Sequence, residues 1–125
     1  MSKKILIIDD ELTILHAVTR YFTRLGFDVD CASELEEAEA LVTHRRYDLV
    51  IADLALSQNF GTEGLEIVRY IHHCAPSTRI VLLTGYGSPA VEKEALRRGC
   101  DRMLYKPKPL VELARVAVEL TGSAA

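Results

Sequence analysis

The chain of 125 residues predicts one α/β domain: a five-stranded parallel sheet with five helices laid over both faces. Three observations predict it. Short apolar runs alternate with longer amphipathic segments from one end to the other, which parallel strands joined by right-handed helical crossovers require. The mass of 13.9 kDa leaves room for a single domain. Surface scaling gives about 6,700 Å² folded against about 20,000 Å² unfolded, enough burial to fold without disulfide or metal staples. Finally, 49% hydrophobic and 26% charged residues are ordinary globular usage, which excludes a disordered tail or a fibrous repeat.

The elements follow in order. Lys4 to Ile8 is a compact β-branched run, read as a strand buried on both faces. Leu15, Val18, Phe22 and Leu25 recur at helical spacing from Leu12 to Leu25, and Gly26 ends that helix. Phe27 to Cys31 alternates apolar and acidic residues, as an edge strand with one wet face does. Ser33 and Glu36 have the spacing of a capping box, and their helix runs on through Ala38, Leu41 and Val42. Leu49 to Ala52 is a third buried strand, followed by a polar, glycine-containing stretch over 57–63 and a helix from about Gly64 to Cys74, closed by Pro76. Arg79 to Leu83 is the fourth strand. Ser88-Pro89 reads as a helix cap followed by proline at the first helical position, with Gly99 at the far end. Arg102 to Tyr105 is a short fifth strand, and Pro109 to Leu120 a last helix with Leu110, Leu113, Ala117 and Leu120 along one stripe. The domain is expected over residues 1–121, with 122–125 a tail or the start of a linker.

Eighteen acids against fifteen bases give a net charge of −3 and a pI near 5.8. A direct nucleic-acid ligand is not expected, because tracking phosphates needs a basic face. Cys31, Cys74 and Cys100 are odd in number and widely spaced, and read as reduced thiols. The first apolar run is only four residues long before Asp9-Asp10-Glu11, too short for a signal-peptide core, and no stretch approaches a membrane span. A cytoplasmic protein without membrane contact is expected.

In an open parallel sheet, ligands bind at the carboxyl ends of the strands. Those ends carry Asp9 and Asp10, then Asp53, Thr84 and Lys106, which share one crevice if the strand order is 2-1-3-4-5. Carboxylates about 5 Å apart repel by about 3 kcal/mol per pair at an effective dielectric near 20. The ammonium of Lys106 and a divalent cation relieve that repulsion. An all-oxygen donor set, without His or Cys, favours Mg²⁺. Acids, Mg²⁺, a hydroxyl and a lysine together suit the receipt of a phosphoryl group: the cations neutralise its oxygens, the hydroxyl donates to one, and an aspartate attacks in line.

These residues resemble, over nearly the whole chain, the receiver domains of two-component response regulators. The matching pieces are Ile7-Ile8-Asp9-Asp10-Glu11, Asp48 through Leu54, Gly64-Leu65-Glu66-Ile67, Leu82-Leu83-Thr84-Gly85, Gly99-Cys100-Asp101 and Lys106-Pro107. The resemblance implies the flavodoxin-like order 2-1-3-4-5 and assigns roles. Asp53 is similar to the phosphoacceptor, which takes its phosphoryl group from the phosphohistidine of a sensor histidine kinase or histidine phosphotransfer protein. Asp10 resembles the direct Mg²⁺ ligand and Asp9 the residue holding the ion through water, with Asp53 and the backbone carbonyl of Ala55 completing the protein ligands. Thr84 matches the hydroxyl that follows the phosphoryl group inward, and Lys106 the phosphate-contacting lysine. The Lys106–Pro107 bond is cis in the family. The implied protein is a switch, with self-directed phosphotransfer and slow loss of phosphate instead of enzymatic turnover. It acts on a downstream output domain or target protein, and the face of the fourth helix, fifth strand and fifth helix is its candidate dimer surface.

The chain also departs from the family. Leu56-Ser57 stands where a Met-Pro is usual, and the segment leading to Gly64 is about three residues longer, so a longer, looser loop beside the acceptor is expected. Met103 occupies the position of the switch aromatic; Tyr105, two residues on and on the same face by strand alternation, is a candidate to take over the readout. Ala55 and Tyr86 match the variable pair flanking the site and point to restricted water and slow dephosphorylation.

Blander readings stand beside these. Acids after a strand also suit the positive end of a helix dipole. His72, His73 and Cys74 are consecutive on a helix and point in different directions, which speaks against a metal site. Arg97, Arg98, Arg102, Lys106 and Lys108 make a basic region that reads as a solvated face or a partner surface. Three rival functions use similar parts. A haloacid-dehalogenase-type phosphatase wants Asp-x-Asp on the first strand, where this chain has an adjacent pair. A flavin mononucleotide binder wants a glycine-rich phosphate loop where Asp9-Asp10-Glu11 would repel the phosphate. A phosphorylation-independent interaction module would not need the acid, threonine and lysine set.

Overall fold

The computed structural model describes residues 2–53, 62–85 and 88–122, with the side chains of 62 and 63 excepted. The elements run β1 (Lys4–Ile8), α1 (Leu12–Arg24), β2 (Asp28–Ala32), α2 (Leu35–His44), β3 (Leu49–Asp53), α3 (Thr62–Cys74), β4 (Arg79–Thr84), α4 (Pro89–Arg97), β5 (Arg102–Tyr105) and α5 (Leu110–Thr121). The five strands form one sheet in the order β2-β1-β3-β4-β5, every neighbouring pair parallel. Ala55, Tyr86 and the lengthened 57–61 stretch lie outside the described residues.

Alternation of side chains along the central strands divides the interior into two cores. Leu6, Val50, Ile80 and Leu82 pack with Val42 of α2, Ile67, Val68 and Ile71 of α3 and Ala95 of α4. Ile5, Ile7, Leu49, Ile51 and Val81 pack on the other side with Leu15, Val18 and Phe22 of α1 and Leu113, Ala114 and Ala117 of α5. Each fully buried aliphatic or aromatic side chain contributes about 1.5–3 kcal/mol, so this two-sided burial explains why β3 is apolar at every position until Asp53.

The helix ends follow local chemistry. Ser88 caps α4, its Oγ accepting from the Val91 N–H at 3.2 Å, with Pro89 in the first turn. Gly99 and Gly122 adopt φ of 117° and 72°, as reversing the chain after a helix requires. At Gly99 an added Cβ would also lie 2.6 Å from the His72 ring. The expected capping box differs. Glu34, not Ser33, takes the cap position without a side-chain bond, and it is Glu37 whose carboxylate accepts from the Ser33 N–H at 3.0 Å. With two adjacent glutamates, a shift of the cap by one residue moves the return bond from Glu36 to Glu37. Helix α3 begins at Thr62, two residues before the expected start. β3 and β4 each run one residue further, to Asp53 and Thr84, and β2 spans Asp28–Ala32, one position later than expected. Its apolar Val29 and Cys31 rest on the α1 side of the core, while Asp30 accepts from the Tyr47 hydroxyl at 2.6 Å and from Arg45 at 2.9 Å.

Candidate functional site

The site sits where the strand order brings four strand ends together. β1 and β3 are neighbours, with Ile8 opposite Ala52, so Asp9 and Asp53, the next residues along, emerge side by side. Asp53 is opposite Leu83 and Thr84 opposite Tyr105, which puts Thr84 and Lys106 on the other flank of the same crevice. The Lys106 N–H holds the Thr84 carbonyl at 2.8 Å, fixing the start of the final loop against the end of β4, and the Lys106–Pro107 peptide is cis.

Asp9 and Asp53 are each only 5% exposed and Thr84 1%, whereas Asp10 is exposed. The Lys106 ammonium donates to Asp53 Oδ2. Asp9 Oδ1 accepts the Glu11 N–H at 2.9 Å. Burial pushes the Asp9 carboxyl above its ordinary pKa, opposed chiefly by that backbone hydrogen bond; Asp53 and Asp10 push the same way as burial and Lys106 against it. The three acids and the lysine are therefore electrostatically coupled in one crevice, as the strand-end argument required.

Among the described residues, no group of three or more His, Cys, Asp or Glu side chains stands arranged to hold an ion without adjustment. The chemistry of the donors fits a hard cation nonetheless. Two buried carboxylates face one ammonium, an exposed third lies beside them, and every available donor is oxygen. His72, His73 and Cys74 sit on α3, away from the crevice, and the His72 ring is packed against Gly99.

A family model for the response regulator receiver domain matches residues 5–117. The chain belongs to the response regulator receiver family. Among curated relatives, it is 31% identical over 106 residues to the photosynthetic apparatus regulatory protein RegA of Rhodobacter capsulatus, covering 85% of this chain and 56% of that protein. It is 33% identical over 122 residues to the response regulator PilR of Pseudomonas aeruginosa, covering 98% of this chain and 26% of that one. The receiver thus spans from about a quarter to six-tenths of the relatives it matches. A solved receiver domain protein (CheY-like) from Methanospirillum hungatei JF-1 superposes with a TM-score of 0.90 at 25% identity, covering 99% of this chain and 97% of that one. A response regulator from Burkholderia pseudomallei, solved with a phosphorylated aspartic acid, a calcium ion and citrate, superposes at 0.83 with 28% identity, covering 98% and 69%. Receiver domains of two-component systems are phosphoacceptors and not turnover enzymes. No helix among the described residues is long and apolar enough to cross a membrane.

Sequence reasoning missed one residue on the α4 side of the sheet, Glu92, which meets Tyr105. Tyr105 is 42% exposed, and its hydroxyl donates to Glu92 Oε1 of α4 at 2.8 Å. Met103 is buried in the α3–α4 core. Both side chains therefore serve the α4 side of the sheet, in keeping with strand alternation. Glu92 carries no sequence signal, because its meeting with Tyr105 depends on the fold.

Proposed function

We propose that Asp53 receives a phosphoryl group from the phosphohistidine of a sensor histidine kinase or a histidine phosphotransfer protein. An Asp53 carboxylate oxygen attacks phosphorus, the phosphorus–nitrogen bond breaks, and the imidazole leaves with that electron pair and takes a proton from water. Lys106 follows the charge onto the phosphoryl oxygens, and the Thr84 hydroxyl donates to one of them. Asp9, Asp10 and Asp53, with the Ala55 carbonyl outside the described residues, would hold Mg²⁺, which would supply charge neutralisation at those oxygens. Loss of the phosphate by hydrolysis is slow, and the α4–β5–α5 face passes the state of Asp53 to an output domain or target protein, or to a second copy. The receiver unit is assigned to residues 1–121.

The observation that carries this reading is the Lys106 ammonium seated on a buried Asp53, one strand from a buried Asp9. Incubation with Mg²⁺ and acetyl phosphate, followed by intact mass measurement, tests it. A single phosphoryl adduct is expected, absent in Asp53→Asn and not formed when EDTA is present from the start. An unmodified wild type would overturn the reading in favour of a phosphorylation-independent interaction module.

A further inference from the structure

Adjoining the crevice, and sharing Asp9 and Lys106 with it, a cleft of about 500 Å³ opens between α1 and α5. Its walls are Ile7 and Ile51 of the sheet, Ile14 and Val18 of α1, and Leu110 and Leu113 of α5. Among the described residues its polar lining is Asp9, Lys106 and Lys108. Ile14 stays 39% exposed at its edge.

We propose that this cleft binds a small amphipathic monocarboxylate, its apolar body between the two helices and its carboxylate at Lys108. Interiors pack with few voids larger than a water molecule, and water is a poor occupant of a space with so few polar partners. The volume and apolar lining fall in the range of small-molecule sites, about 300–1,000 Å³. The head group follows from charge. Two ammoniums and one carboxylate line the cleft, and two of these three groups are engaged: Asp9 Oδ1 by the Glu11 N–H and Lys106 by Asp53. Among the described residues Lys108 is held by Glu112, at 3.5 Å, longer than a charge-assisted hydrogen bond, and an ammonium has three donors. A carboxylate beside an apolar body is the chemistry that completes it.

Binding is measured without Mg²⁺ or phosphodonor, so its outcome does not depend on phosphorylation of Asp53. The probes are 8-anilinonaphthalene-1-sulfonate, octanoate and octanol. Saturable fluorescence of the dye on folded protein is expected, with octanoate displacing it about fivefold more tightly than octanol. Lys108→Gln should bring the two competitors together while leaving octanol unchanged. Ile14→Trp, which lays an indole over the cleft, should weaken dye binding about tenfold or more with an unaltered far-UV circular dichroism spectrum; Leu110→Trp serves if the first variant fails to fold. No saturable binding, equal affinity for octanoate and octanol, or binding that survives both tryptophans would overturn the proposal and leave the cleft to a protein side chain.

Discussion

Lys106 balances the charge of the crevice. Its ammonium touches Asp53 and also pulls the Asp9 carboxyl down against burial and against Asp53 itself. Replacing it with methionine keeps most of the stem's packing and removes the charge that faces the buried Asp9 and Asp53 carboxylates; like charges at about 5 Å repel by about 3 kcal/mol at an effective dielectric near 20. Partial exposure of the lysine moderates this, so Lys106→Met is expected to lower stability by about 1–2 kcal/mol in urea melts without divalent ions. Adding Mg²⁺ should raise the melting temperature more in the variant than in the wild type, because a dication then supplies the missing positive charge. An equal rise in both proteins would show that Lys106 is not the counter-charge. The acids and this lysine were legible because each ends an apolar strand, where a charged residue has no packing reason to be. That Asp9 is the buried member of the Asp9-Asp10 pair, and Asp10 the exposed one, follows only from the chain's direction as it leaves β1.

Between elements, the contact of β5 with α4 is one place where this chain departs from the family pattern. Met103, which matches the family's switch aromatic by position, is a buried packing group and has no hydroxyl to redirect. Tyr105 instead reaches α4 from an exposed position through Glu92. The bond also holds the tyrosine proton, raising its pKa through the Glu92 acceptor. Tyr105→Phe removes one solvent-exposed hydrogen bond, so a loss of only about 0.5–1 kcal/mol is expected in global stability. Amide exchange in the first turn of α4 should accelerate by more than that in other helices, and binding of the phosphorylated form to its target should weaken. Unchanged exchange and unchanged binding would return Tyr105 to an ornament of the surface. Strand alternation had placed Tyr105 and Met103 on one side of the sheet; it did not supply Glu92, thirteen residues away in sequence. Capping shows the same division. Ser88-Pro89 was readable because its signal is local and has no competitor, whereas Glu36 and Glu37 offer two equivalent partners and the backbone chose the second.

For the whole molecule, the two-sided core was legible because the three central strands, β1, β3 and β4, carry unbroken apolar runs that only a sheet covered on both faces can bury. The cleft between α1 and α5 was not, since the gap depends on how the two helices seat on the sheet, which the spacing of their apolar residues does not reveal. The same core governs the response to alkali. Burial pushes the Cys100 thiol up to about 11 from 9.0, with Sγ donating to the Arg102 carbonyl at 3.0 Å. Burial, then the bond to Asp30, raises the Tyr47 phenol above its usual 10.0. Both groups keep their protons in the folded protein at a pH where the unfolded chain gives them up. The unfolded state then binds fewer protons, and stability falls as pH rises. For Cys100 the window opens near pH 9 and closes near 11, and a shift of two units corresponds to about 2–3 kcal/mol. Urea midpoints under reducing conditions should therefore hold level from pH 7 to 8.5 and drop steadily to pH 10.5. Cys100→Ala and Tyr47→Phe, each less stable at pH 7 for its lost contacts, should both show a shallower alkaline slope than the wild type. If both variants instead run parallel to it, the decline belongs to lysine deprotonation at the surface ion pairs and not to the interior.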